Sequence, residues 1–418
     1  MTPVDLNYMG YFRGVTGRLT FRRWWQPPAR YEDRPEDRRV TFLELFFDLV
    51  FVVLISQLAH RLSEHPTWSG VGWFGFLFYA VWSSWINGTF YYDLHGTNDI
   101  SVRVFTFTQM LTVAVMAVFA GSVPGPGSGG FAIAYGFNSL LLAIIWFRTG
   151  LHDPSHRLAS NPYSAAYLLG ASLFVVSALF DGPGRYWIWG LALFIESAGY
   201  VIAMNRWRPP ESQVGDAVIA VTPSLIERMG LFVIIVLGEV IVGAINGMAD
   251  LDPLSLNGVV IGLLGVLVAI GLWWIYFDLV SHHAPVSRLT QTWLYLHFPL
   301  LLVTAAGGAG VLNVVEHSAT PLPGSLRWLL VGSLATAVLS VTALSRTLEV
   351  RALHPEIYRN AEGTMVLSAA LMTAVGFTAW GSKGTLSALV LLLLVPVMVG
   401  IVVWLRHTDP DPDGLGTT

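Results

Sequence analysis

The 418 residues contain no cysteine. A disulfide framework, a thiolate metal cage and a cysteine nucleophile are therefore excluded. Charge is also scarce, at 12% of residues, where an ordinary soluble domain carries roughly 25%. The net charge is only −4, and no basic face offers itself to nucleic acid, which is not an expected partner. An HExxH helix, a GxSxG elbow and a Walker phosphate loop are all missing, and with them the commonest catalytic motifs. The chain reads as a non-enzyme with no catalytic residue, metal site or cofactor. Its loops are too short for a soluble catalytic domain, so any enzymatic chemistry would have to occur within a membrane.

What the chain has in abundance is apolar length. Hydrophobic residues make up 54%, including 16 Trp, 23 Phe and 14 Tyr, and the mean hydropathy is +0.59. A run of about twenty apolar residues crosses the ~30 Å hydrocarbon layer as a helix. Twelve such runs are read at 43–62, 70–92, 102–121, 130–148, 162–180, 186–204, 224–247, 256–279, 290–312, 326–345, 363–380 and 385–405. Gly- and Pro-rich turns such as 121–130 and 181–184 separate them. The expected fold is an all-α, polytopic membrane protein of about twelve transmembrane helices. An arginine-rich arm (1–41) comes first, then one six-helix unit (42–205), a linker (206–223), a second unit (224–406) and a polar tail (407–418). The arm lacks the uninterrupted apolar stretch of a cleavable signal peptide and is expected to remain.

Basic residues orient the chain. The eight arginines of the arm fall on one side with Arg103, Arg148, Arg157, Arg206, Arg208, Arg288, Arg346, Arg351, Arg359 and Arg406. Only Arg61, Arg185, Arg327 and Lys383 fall on the other. The positive-inside rule then places both termini in the cytoplasm of a cell whose inner (plasma) membrane holds the protein.

The two halves echo each other. Tyr91-Tyr92-Asp93-Leu94 ends the second run and Tyr276-Phe277-Asp278-Leu279 the eighth, and at the same offset Arg103 and Arg288 open the third and ninth. Arg148-Thr149 is matched by Arg346-Thr347, and Glu44 by Glu227. Six spans per half give two parallel repeats, a build in which transporters place substrate sites at the repeat interface.

An ionisable side chain at a helix centre costs ~2.5–3.5 kcal/mol on insertion scales, so each one needs a reason. Glu44 and Asp48 share one face of the first helix, and Gln57 and His60 form a second polar pair towards its outer end. In the seventh run, Arg228, Glu239 and Asn246 fall on one stripe, among glycines suited to close helix contact. Glu196, Asn138 and His297 lie deep in other runs. Asp48, Glu196 and Glu239 are the candidates for a cation or proton pathway, Arg228 for holding a carboxylate or gating the cytoplasmic mouth, and His297 for relaying protons. Plainer roles stand beside these. Asp93 with Arg103, and Asp278 with Arg288, read as ion pairs that fix helix hairpins. Glu44 reads equally as a helix-start cap, and His297 and Asn138 as interhelical hydrogen-bond partners.

The string Leu43-Glu44-Leu45-Phe46-Phe47-Asp48-Leu49-Val50-Phe51-Val52 resembles the signature of the bacterial low temperature requirement A family. So does Glu227-Arg228-Met229-Gly230-Leu231-Phe232, continuing to Val236-Leu237-Gly238-Glu239. The resemblance covers most of 38–405 and implies a multi-spanning membrane protein. Its pattern carries over onto Glu44, Asp48, Glu227, Arg228 and Glu239. A fainter similarity is to the lysosomal potassium-channel family, with its two six-helix repeats. Phe46-Phe47-Asp48 keeps the Phe and Asp of that family's motif, while Phe42 and Leu231 depart from it.

Together these features lead us to expect a transporter of a small ion or solute, proton-coupled, with its acidic residues at the repeat interface. A passive cation channel, and an intramembrane enzyme or lipid-binding protein of envelope adaptation, are the alternatives. Membrane lipid is an expected partner, and a homo-oligomer a candidate assembly.

Overall fold

The computed structural model describes residues 26–29, 38–97, 99–206 and 221–408. Most of the arm, most of the linker and the tail from 409 lie outside the described residues. Among the described residues, twelve helices have 21 residues or more. They are α1 (Phe42–Glu64), α2 (Trp68–His95), α3 (Ile100–Ala120), α4 (Ser128–His152), α5 (Arg157–Ser177), α6 (Gly184–Arg206), α7 (Pro223–Ala249), α8 (Leu256–Leu279), α9 (Thr290–Glu316), α10 (Gly324–Ser345), α11 (Pro355–Gly376) and α12 (Ser382–Thr408). At 1.5 Å per residue even the 21-residue helices are about 31 Å long. Their starts are written locally. Thr41, Thr67, Asp99, Thr222 and Ser255 each accept a first-turn backbone N–H at an N-cap. Thr41 and Glu44 close a full capping box.

Nine of these helices are long and apolar enough to cross a membrane; α2, α5 and α11 are not among the nine. Each of the three carries polar side chains that the protein buries. Every residue of α2 from Ala80 to His95 is buried by other helices, so its Ser, Asn and Thr side chains meet protein rather than lipid. Asn87 of α2 donates to the Tyr167 hydroxyl of α5, and Glu362 of α11 is held by two arginines. The last contact also explains why α11 begins well before the expected 363, since the polar stretch from Pro355 is helix rather than loop.

Hydrogen bonds gather the connections at two ends of the bundle. At one end, Arg61 reaches the Gly121 carbonyl (2.6 Å), Asn313 the Ser63 carbonyl (2.9 Å) and Ser382 the His317 carbonyl (2.9 Å). At the other, the Gln26 N–H donates to Asp99 (3.0 Å), the Val286 N–H to the Thr347 carbonyl (2.8 Å) and the Tyr358 hydroxyl to the Leu279 carbonyl (3.2 Å). Within the first half α1 packs on α2 and α3, α3 on α4, α4 on α5 and α5 on α6. In the second, α7 packs on α8 and α9, α9 on α10, α10 on α11 and α11 on α12. The halves meet where α1 and α2 contact α7 and α9. The outer surface is strongly apolar, with Leu111, Val118, Phe194, Leu263 and Leu391 all exposed, more than a soluble surface tolerates.

Candidate functional site

The junction between the halves carries charge. Asp48 of α1 is fully buried, and Arg228 of α7 is 2% exposed. The Arg228 Nη2 donates to Asp48 Oδ1 at 2.9 Å and its Nε to Oδ2 at 3.3 Å, a two-pronged grip across the two helices. The Trp85 indole of α2 donates to the same Oδ1 at 2.7 Å. That indole stacks on Phe232, one turn beyond Arg228, with ring centres 3.9 Å apart. The guanidinium also lies over the Phe47 ring, 5.3 Å from its centre.

A chain of alternating charges leads away from this pair. Arg228 Nη1 is 3.7 Å from Glu44, whose Oε1 accepts from Arg38 at 2.5 Å. Arg38 also meets Asp93 at 3.4 Å, and Asp93 accepts from the hydroxyls of Thr222 (2.8 Å) and Ser224 (2.5 Å) at the start of α7. Glu44 is both the N3 residue of the capping box and a member of this network. A cavity of about 460 Å³ opens on the network. Arg38, Glu44, Arg103 and Arg228 line it, with Phe47, Tyr92 and Phe107 as walls.

Glu239 lies three turns deeper on α7, buried, with Ser56 of α1 beside its carboxyl group. Glycine is required on both sides of this crossing. A Cβ on Gly308 of α9 would sit 2.7 Å from the Glu239 carbonyl oxygen, and one on Gly243 2.3 Å from the Gly308 oxygen.

The other expected site residues are dispersed. Gln57, His60, Glu227 and Asn246 are exposed. His60 pairs at 3.6 Å with Glu64, and Glu227 accepts from the Val40 N–H at 3.4 Å. The buried stripe of α7 therefore ends short of Asn246, and the outer polar pair of α1 lies on the exposed side of that helix. Glu196 is fully buried but not at the junction. It sits inside the first half, taking hydrogen bonds from Tyr135 and Ser139 of α4 at 2.8 Å each, with Gly170 of α5 giving it room. His297 bridges the Tyr276 hydroxyl (3.0 Å) and the Trp293 carbonyl (2.8 Å), both ring nitrogens occupied. Asn138 accepts from Ser84 and donates to Thr112, joining α2, α4 and α3. The hairpin pairs are not the ones expected. Asp93 pairs with Arg38, while Arg103 lines the cavity. Asp278 and Arg288 are both exposed.

The family model described as Bacterial low temperature requirement A protein (LtrA) matches residues 39–404. The chain belongs to this family. The matched LtrA region contains Glu44, Asp48, Arg228 and Glu239 and all twelve long helices up to the last turn. An uncharacterized protein of Rhizobium meliloti (strain 1021) is 29% identical over 300 residues, covering 66% of this chain and 70% of its own. No solved structure matches the chain.

Three features of this LtrA protein were not singled out in its sequence. Arg38, counted there only as one basic residue of the arm, is the bridge between Glu44 and Asp93. Glu362 is buried and clamped by Arg346 (3.2 Å) and Arg351 (2.9 Å). The side chains of His95 and His156 meet in the interior at 3.0 Å. Burial and the adjoining His95 hold the His156 imidazole down at about 3. The arginine spacing around Glu362 was legible in principle, but a carboxylate beside two arginines near a helix start reads as solvated surface.

Proposed function

We propose that this LtrA protein is an inner-membrane transporter of a small ion or solute, with twelve spans in two parallel six-helix repeats and both termini in the cytoplasm. The observation that carries the reading is the Asp48–Arg228 pair, which locks the two halves together at the inner end of a cavity. A pair that closes the junction in one state and parts in another is the simplest charged gate for halves that rock about a shared interface. The consecutive packing of helices, first on second and third and from the third each on the next, recurs in both halves and supports the repeat, while α8 packs more closely on α12 than α2 does on α6. The two ends at which the loops collect support a traverse by α2, α5 and α11 as well.

The roles of the acids change accordingly. Asp48 is matched by Arg228 and serves the gate rather than a free cation. Glu239 is the proton-carrying group, because among the described residues no cation lies within ion-pair distance of it. It faces α1 at the junction. Closure by the stacked Trp85 and Phe232 behind the pair favours alternating access over a passive channel.

Proteoliposomes loaded with a pH-sensitive dye test this, with K⁺, Na⁺ or phosphate supplied outside. The wild type should move protons in response to at least one of the three, and Glu239→Gln should lower that rate at least about tenfold while the protein stays folded. Proton movement unchanged in Glu239→Gln removes the residue from the pathway. Saturable uptake of none of the three, with conductance in planar bilayers instead, overturns the transporter in favour of a channel.

A further inference from the structure

The α1–α3 seam is built in two zones that follow one another along the same pair of helices. At the amino-terminal ends lies the arginine-lined cavity, with Thr41 to Phe47 of α1 and Val102 to Phe107 of α3 as its sides. Further along is an open lateral groove of about 550 Å³, walled by Phe46, Leu49 and Val53 of α1 and by Ala114 and Val118 of α3, and ending at Gln57. Phe46 and Phe47 are consecutive, so the groove begins beside the cavity wall. From Phe46 to Gln57 the helix advances about 16 Å, half of the ~30 Å hydrocarbon thickness and so the depth of one leaflet.

The cavity offers donors. Glu44 is already saturated by Arg38 and by the Thr41 N–H and hydroxyl. The Nη1 of Arg228 makes no hydrogen bond among the described residues, although this side chain is 97% buried and borders the cavity. Arg38 and Arg103 line the same space. Three guanidinium groups around a pocket, one with that buried Nη1, which lies 3.7 Å from Glu44, suit a tetrahedral oxyanion, and forked arginine donors match phosphate geometry. Phe107 at the rim is 46% exposed, so the pocket is open on the side from which lipid approaches.

We infer that the α1–α3 seam binds one anionic phospholipid from the leaflet at the amino-terminal ends of these helices, its phosphate in the arginine cavity and one acyl chain in the groove. An oxyanion pocket with no apolar continuation would suit a soluble phosphate, and an apolar groove without the arginines any lipid tail. The two in sequence on one seam select a lipid with both parts. The inference goes beyond the transport reading and stands without it, since binding is measured without flux.

The test uses the full chain in detergent, stripped of native lipid, and native mass spectrometry with phosphatidylglycerol, phosphatidylcholine, glycerol phosphate and inorganic phosphate as probes. One phosphatidylglycerol should be retained at least about tenfold more tightly than phosphatidylcholine of the same chains. Arg103→Gln, which alters the pocket, and Ala114→Trp, which fills the groove from its exposed side, should each lower that affinity about tenfold. Their lipid-free melting temperatures should remain near that of the wild type. If Arg103→Gln does not fold, Ala114→Trp alone decides. Equal retention of the two lipids, or phosphatidylglycerol affinity unmoved in Ala114→Trp, overturns the site. Glycerol phosphate or inorganic phosphate bound as tightly as the lipid, and indifferent to Ala114→Trp, also overturns it and assigns the pocket to a soluble anion.

Discussion

Asp48 and Glu196 are equally buried, each with no exposed surface, yet their surroundings share nothing. Asp48 lies between the halves, gripped by a guanidinium and an indole, both of which can only donate. Glu196 lies inside one half, held by two hydroxyls, each able to donate or accept. The first environment fixes the charge state and orientation of its acid; the second adapts to whatever its acid does. Depth alone treats the two alike, but the character of the partner separates a charge-paired acid between the halves from a hydroxyl-held one inside a half.

The largest effect should come from breaking the donor-only site. Arg228→Gln leaves Asp48 as a buried charge without its counter-charge, and loss of one partner of a buried pair costs about 3–5 kcal/mol. Thermal unfolding in detergent should show a large drop in melting temperature for Arg228→Gln and for Asp48→Asn alone. The double variant should lose less than the two single losses combined, because each single change strands the other group. Single losses below about 1 kcal/mol, the range of exposed pairs, would mean that the junction is wetter than its burial indicates, and the contrast with Glu196 would collapse.

His156 provides a third way of burying a titratable group, kept neutral. Burial and the neighbouring His95 hold it at about 3, against the opposing pull of Asp153, while the unfolded chain titrates near 6.5. Between those values the unfolded chain binds a proton that the folded chain does not. Stability is therefore fully present above about pH 6.5 and falls as the pH drops towards 3, by about 1.4 kcal/mol per unit. The melting temperature should fall between pH 7 and pH 5, and His156→Gln should flatten that dependence. A pH profile unchanged by the substitution would show that acid sensitivity, if any, comes from the carboxylate network at the α1–α7 junction.

These contrasts mark where sequence reading stops. The twelve apolar runs each overlap a long helix, nine of them apolar enough to cross a membrane, because apolar length is a local property. The starts of α1, α3 and α7 were local too, written in Thr41, Asp99 and Thr222. The helices α2, α5 and α11 sit apart from those nine in apolar character: α2 is buried from Ala80 to His95, while α11 carries exposed Glu356 and Arg359 in its first turns. The acids obeyed the same division. Glu44 and Asp48, four residues apart, had to share a face, and Arg228 reaches both across to α1. Nothing in periodicity could assign Glu196 to the interior of one half, since that depends on Tyr135, Ser139 and Gly170, which come from other helices. Arg38 was invisible as a site residue for the opposite reason: nothing in the sequence sets it apart from the other arginines of the arm, and its reach to Glu44 is a property of the fold.

The smallest effect should be at Glu196, and its smallness is what makes the comparison informative. In Glu196→Gln one side-chain oxygen still accepts from Tyr135 or Ser139, and the new amide donates to the other hydroxyl, which turns to accept. No donor is left facing a donor, so the loss should stay below about 1 kcal/mol. The isosteric change at Asp48 allows no such turn, because the Trp85 N–H and the Arg228 guanidinium cannot accept. A melting temperature for Glu196→Gln within a few degrees of the wild type, beside a collapse for Asp48→Asn, would show that partner character rather than depth sets the stakes. A loss at Glu196 as large as that at Asp48 would require a counter-charge to reach Glu196 in the folded protein, and would end the distinction between its hydroxyl partners and the donor-only partners of Asp48.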